Sequence, residues 1–308
     1  MASIMTNASA LTALQSLNAT NKALEQTQSR ISTGYRVSTA SDNAAYWSIA
    51  TTMRSDNKAN SVVQDALGLG AGKVDTAYTA MNKAIEVVDA IKQKILLAKA
   101  SGPEQRSKIQ GDIDSLQKQL KDNIAGASYA GTNMLKTDSG VTNASLGIIS
   151  SYNRDSAGNV TTGMIDIPLN NVRLIDASAA AKAGILDSTG SASTKALLDI
   201  SVSDLTGVAG TGETAQFDNL LTDVEKVLAK MASAASELGA AKSRVDMQKD
   251  FVSKLSDSID RGVGQLVDAD MDRESTRLQA LQVQQQLGIQ ALSIANSSAQ
   301  NILSLFKS

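Results

Sequence analysis

Hydrophobic residues recur every seven positions through much of this chain. Val74, Met81, Val88 and Ile95 form one row, and Ala77, Ala84, Ile91 and Ala98 follow three residues after each. This is the a/d spacing of helices that pack along a shared seam. Ser101, Gly102 and Pro103 interrupt the pattern, as expected of a helix stop. A second helix is predicted beyond them, with Ile109, Ile113, Leu116, Leu120 and Ile124 on one face, so the two read as a helical hairpin. The longest row is Val224, Met231, Leu238, Val245, Val252, Ile259 and Leu266, accompanied by Val227, Ala234, Ala241, Gln248, Leu255 and Gly262. Such a helix is about 65–70 Å long at 1.5 Å per residue, a length that suits an elongated bundle with small d residues allowing close approach.

The two ends are amphipathic but differently composed. Ala10, Leu17, Leu24 and Ile31 form a row at the start, beside Ala13, Thr20 and Thr27. Leu278, Gln285, Leu292, Ala299 and Phe306 form another at the end, with Leu281, Gly288, Ala295 and Ile302 as companions and Gln, Asn and Ser expected on the opposite face. Residues 278 to 306 carry no charged side chain, so many copies of this helix can stack without bringing like charges together. Leu17, Leu24, Ile31, Leu278, Leu281, Leu292, Ile302 and Phe306 are the candidate polymerisation seam, while the rows from Val74 and Val224 read as bundle core.

Between residues 138 and 213 the periodicity fails and Gly, Ser, Thr, Asn and Asp dominate. Alternating runs at Met164 to Ile167 and Val172 to Ile175, bounded by turn residues, predict a few strands. The fold expected is mainly α: an elongated coiled-coil or helical bundle made by the N- and C-terminal segments, with a small β-rich central insertion. Three parts follow: residues 1–40 with 269–308 as a terminal coiled coil, 41–137 with 214–268 as a helical core, and 138–213 as a surface-exposed insertion.

Composition narrows the chemistry. Hydrophobic residues make up 42% of the 308 but aromatics only 3%, which favours helix packing over an aromatic-lined pocket. The chain has neither His nor Cys, removing Ser-His-Asp and Cys-His nucleophile pairs, imidazole acid–base catalysis and every His or Cys metal site. No enzyme and no cofactor is expected. A net charge of −2 offers no basic field for nucleic acid, and no stretch approaches the ~20 apolar residues of a membrane span. Met1 to Asn21 is uncharged and lacks the basic and apolar regions of a secretory signal, so export without a cleaved signal peptide is expected. Asp268, Asp270 and Asp272 copy the opening of a calcium loop. Arg273 stands where that loop needs Gly, and Gln279 where it needs Glu, so a solvated helix junction is expected. Tyr46 and Trp47 read as packed anchors rather than a contact patch.

The stretch Ile-Ser-Thr-Gly-Tyr-Arg-Val-Ser-Thr-Ala-Ser-Asp-Asn-Ala-Ala from Ile31 to Ala45 resembles the N-terminal signature of bacterial flagellins. Physically, Gly34 suits a helix C-cap and Ser41 or Asp42 the next N-cap. Ser128 to Leu135, Leu238 to Arg244, Asp268 to Asp270 and Asn296 to Phe306 are similar to further motifs of that family, in its order and spacing across residues 1–137 and 214–308. The resemblance is nearest to the short flagellins of alphaproteobacteria. It implies a filament subunit for swimming motility, with terminal helices lining a central channel, an outer helical unit making subunit contacts and an extracellular location. It also implies copies of itself or other flagellins as partners, together with an export chaperone, type III export, a filament cap and hook-junction proteins. A hook–filament junction protein, or an adhesin using the insertion, are the alternatives.

Overall fold

The computed structural model describes residues 7–140, 144–155, 157–178 and 182–307, with side chains to residue 297. The fold is mainly α. Six helices, α1 (Ala8–Thr33), α2 (Ala44–Lys99), α3 (Pro103–Gly126), α4 (Leu169–Val172), α5 (Glu213–Val267) and α6 (Met271–Lys307), are joined by β1 (Lys136–Thr137), β2 (Ser145–Arg154), β3 (Val160–Pro168) and β4 (Ile175–Asp176). They form two compact units, residues 1–57 with 257–308 and residues 58–256. The hydrophobic pattern places a boundary at residues 40 and 268; the unit holding both ends extends to Asn57 and resumes at Asp257.

In the unit of residues 58–256, the seven-residue rows are the core. Val74, Met81, Val88, Ile95, Val224, Met231, Leu238 and Val245 have no exposed surface, and Val252 has 1%. Each such side chain contributes about 1.5–3 kcal/mol of burial. Antiparallel register between α2 and α5 is marked by ion pairs from Asp75 to Lys242, Lys92 to Glu225 and Lys99 to Asp218, each step forward on α2 matched by an equal step back on α5. These pairs are half-exposed and worth only ~0–1 kcal/mol each, so the buried rows supply the stability. Pro103 starts α3, where a missing N–H costs nothing. Arg106 closes the hairpin, donating from Nε to the Ala98 and Ser101 carbonyls and lying over the Phe217 ring at 4.9 Å.

The insertion packs into this same core. Strands β2 and β3 form an antiparallel hairpin with a bulge between Ile149 and Ser151, while β1 and β4 pair in parallel. Ile148, Ile165, Ile167, Leu174, Leu186, Leu197 and Ile200 join the helical residues in one buried cluster. Gly70 leaves room for this contact, since a Cβ there would lie 2.6–2.9 Å from Ile148. Gln248, at a polar seam position, donates to the Ser150 carbonyl, and Gln117 donates to those of Leu197 and Ile200. The predicted strand at Val172 to Ile175 is reduced to Ile175–Asp176. Val172, Arg173 and Leu174 are all buried, and no alternating face survives there. Arg173 is held instead by the Thr137 hydroxyl, the Asp138 carbonyl and Asn170.

The unit of residues 1–57 and 257–308 rests on a small cluster of Val37, Ala50, Val263 and Val267, with Met53, Ile259 and Leu266 half-buried against it. The turn after α1 and the turn after α5 hold each other by backbone bonds: Arg36 N and Val37 N donate to the Val267 carbonyl, and Ala269 N donates to that of Gly34. Gly34 ends α1 at φ 73°, a left-handed value that costs Gly little. The next helix starts later than expected. Asn43 is its N-cap, accepting from Tyr46 N. Asp42 instead accepts from Ser38 N and Thr39 N, and its carboxyl lies below the usual range, first because of the Thr39 backbone bond.

Candidate assembly surface

Helices α1 and α6 pair antiparallel within their unit, and three polar contacts along α1 mark the register. Asn7 donates to the Ala295 carbonyl at 2.9 Å, Gln285 donates to Asn21 at 2.8 Å, and Arg30 donates to Glu274 at 3.2 Å. Between them Leu17 lies against Gly288, whose missing side chain admits the leucine. Of the expected seam, Leu281 is buried, while Leu17, Leu24, Ile31, Leu278 and Leu292 are half-buried. The side chains of Ile302 and Phe306 lie outside the described residues.

Seven-residue spacing alone missed a second apolar row. Leu11 and Leu14 on α1, and Val283, Leu287, Ile289 and Ile294 on α6, are exposed, Leu287 by 58% and Ile294 by 66%. The face expected to be Gln, Asn and Ser therefore also carries large aliphatic side chains. Leu11 and Leu14 lie three apart, and Val283, Leu287 and Ile294 four and seven apart, a helical spacing that scoring both faces would find, whereas Ile289, two residues from Leu287, stands on another side of α6. A single helix pair leaves this row in water, although each side chain could contribute about 1.5–3 kcal/mol if covered.

Long stretches of the pair carry no charge, Ala8 to Asn21 on α1 among them. Arg30 and Glu274 form a partly buried ion pair, and Leu278 to Asn296 beyond it has no charge. Asp270 caps α6, accepting from Arg273 N. Tyr46 and Trp47, expected to pack, are 41% and 39% exposed. They lie outside the cluster because α2 turns Ala50 and Met53, not its aromatics, toward Val37 and Val263.

Residues 4–139 match the family model described as the bacterial flagellin N-terminal helical region, and residues 221–306 match that of the bacterial flagellin C-terminal helical region. A protein named Flagellin from Brucella melitensis biotype 1 is 53% identical over the whole of both chains. Flagellin C and Flagellin A of Rhizobium meliloti are 46% and 42% identical, again over the full length of each chain.

Proposed function

From the premise that this chain belongs to the bacterial flagellins, and is thus a structural, self-polymerising subunit of the flagellar filament, we propose how its helices divide the work of assembly. The inward row, with Leu17, Leu24, Ile31, Leu278, Leu281 and Leu292, joins α1 to α6 within a copy. The exposed row of Leu11, Leu14, Val283, Leu287 and Ile294 joins one copy to the next, and Ile302 and Phe306 continue the C-terminal seam. The observation that carries this reading is the pair of apolar rows on each helix, of which one chain covers only one. An uncharged helix can be surrounded by copies of itself without burying an unpaired charge.

Export of the chain through the flagellar type III apparatus, a chaperone on the C-terminal segment, and growth beneath a cap and onto hook-junction proteins complete the proposal. The three-part division, with residues 138–213 facing outward, belongs to it as well. No observation favours the junction-protein or adhesin readings. The test is Leu287→Asp combined with Ile294→Asp, followed by seeding with filament fragments and electron microscopy. The variant should keep its α1/α6 pair and fail to elongate seeds, because two charges would enter the copy-to-copy contact. Filaments growing as readily as from the unaltered chain would overturn the assignment.

A further inference from the structure

Arg173, between α4 and β4 in the insertion, is a buried cation whose partners are all neutral. It is 2% exposed. Its Nε donates to the Thr137 hydroxyl at 2.8 Å, and its Nη2 to the Asn170 side-chain oxygen at 2.7 Å and the Asp138 carbonyl at 3.2 Å. It takes part in none of the ion pairs among the described residues, although a charge taken out of water ordinarily meets its opposite. The carboxylates closest in sequence are committed elsewhere. Asp176 accepts from Ser139 N, Ser178 N and Ala183 N, and Asp138 accepts from Gly140 N.

The neutral acceptors leave the surroundings rich in donors. Arginine can only donate, so Thr137 and Asn170 both meet it through oxygen, and each keeps its own hydrogens: the Thr137 O–H and the Asn170 NH2 group. Nη1 of Arg173 donates to no described residue and is not sealed from solvent. Spare N–H and O–H groups around one buried positive charge suit an ion with several acceptor oxygens, which a guanidinium binds through paired, charge-assisted bonds. We propose that Arg173 is the centre of an oxyanion site that takes a phosphate or sulfate ion, with the Asn170 amide and the Thr137 hydroxyl as its neutral donors. The bound ion fastens the Asn170 turn to β1, so the stability of the insertion depends on the anions of the medium. The site is independent of how copies meet in the filament.

Inorganic phosphate titrated into the full, unaltered chain at neutral pH and fixed ionic strength tests it. The melting temperature should rise along a saturable curve with its midpoint at millimolar phosphate, as a ligand of the folded state alone requires, and titration calorimetry should give one site per chain. Sulfate should compete for that site and chloride should not. Phosphate and sulfate also stabilise folded chains by exclusion from their surfaces, and variants separate that effect from binding. Asn170→Asp sets a carboxylate beside Arg173 at an exposed position. It should raise the melting temperature in the absence of phosphate and weaken phosphate binding about tenfold or more, because the added charge pairs with the guanidinium and repels the ion. Arg173→Gln should show only a gradual, non-saturating rise. Calorimetry that finds no phosphate bound to the unaltered chain would overturn the proposal. So would an equal response of all three chains to phosphate, which is the behaviour of salting-out alone.

Discussion

Leu17 and Gly288 face each other so closely that a Cβ added to Gly288 would lie 3.8 Å from the Cβ of Leu17. That is the mean Cβ–Cβ separation of a disulfide, about 3.8 Å. The chain contains no cysteine, so the pair Leu17→Cys with Gly288→Cys should cross-link within one chain on mild oxidation. A control with Leu17→Cys and Leu281→Cys, one heptad away, should cross-link poorly. Equal yields, read by mobility on a non-reducing gel, would show that α1 and α6 do not hold one register.

The Arg30–Glu274 ion pair, about 20 Å further along the same two helices, should set that register more than it adds stability. Glu274 keeps 11% of its side chain exposed and Arg30 30%. Arg30→Met leaves the carboxylate without its cation and should cost about 1.5–3 kcal/mol. Adding Glu274→Met should recover most of the loss. The doubly altered seam would then be apolar and repetitive enough to slide by a heptad. Thermal unfolding of the four chains gives the coupling. The Leu17→Cys, Gly288→Cys yield should fall in the double variant, and an unchanged yield there would mean the register is held elsewhere.

What was legible in the sequence was what depends on neighbours along one helix. A side chain seven residues on returns to nearly the same face, so burial follows from spacing in the row from Val74 and in that from Val224 as far as Val252; beyond it Ile259 and Leu266 are only half-buried and Val263 and Val267 take the core positions. The Gly34 cap was equally local. Asn43 capping in place of Asp42 was not, because both are good caps and the choice depends on the Ser38 and Thr39 amides that claim Asp42. The outer row on α6 escaped because a single a/d frame tracks one face. The docking of Ile148 over Gly70 was hidden for another reason, since it joins segments far apart in the chain and leaves no periodic trace.

That docking changes the expectation for the insertion. Turn-rich composition alone suggests that residues 140–210 can be replaced by a short Gly/Ser linker with filaments still forming. Yet the replacement would remove Ile148, Ile165, Ile167, Leu174, Leu186, Leu197 and Ile200 from the buried cluster and uncover partners such as Phe217 and Leu220. A loss of even ~5 kcal/mol lowers the melting temperature of a domain this size by roughly 10–20 °C. The variant should therefore assemble only well below the melting temperature of the intact chain. Calorimetry is the check, and an unchanged transition would mean that the helices alone hold the unit of residues 58–256.

Asp223 gives the same unit a dependence on acid. It is buried on α5 and accepts backbone N–H bonds from Ala192 and Ser193, with the Lys226 ammonium 3.8 Å away. Burial, the largest influence, pushes its carboxyl up, but the bonds from Ser193 and Ala192 and the charge of Lys226 together hold it below the usual 3.8. A carboxyl lowered in the folded state binds its proton more weakly there than in the unfolded chain. Its contribution is therefore complete above the unfolded value and is lost as pH falls through the folded one. Asp223→Asn keeps the shape but places an NH2 group among donors, so it should be less stable than the unaltered chain at pH 7. The gap should close as pH drops below the usual carboxylate range, because the unaltered chain then loses the charge as well. Melting curves of both chains from neutral pH into that range are the measurement. A gap of constant size would show that the Asp223 charge is not what holds the 190–194 turn to α5.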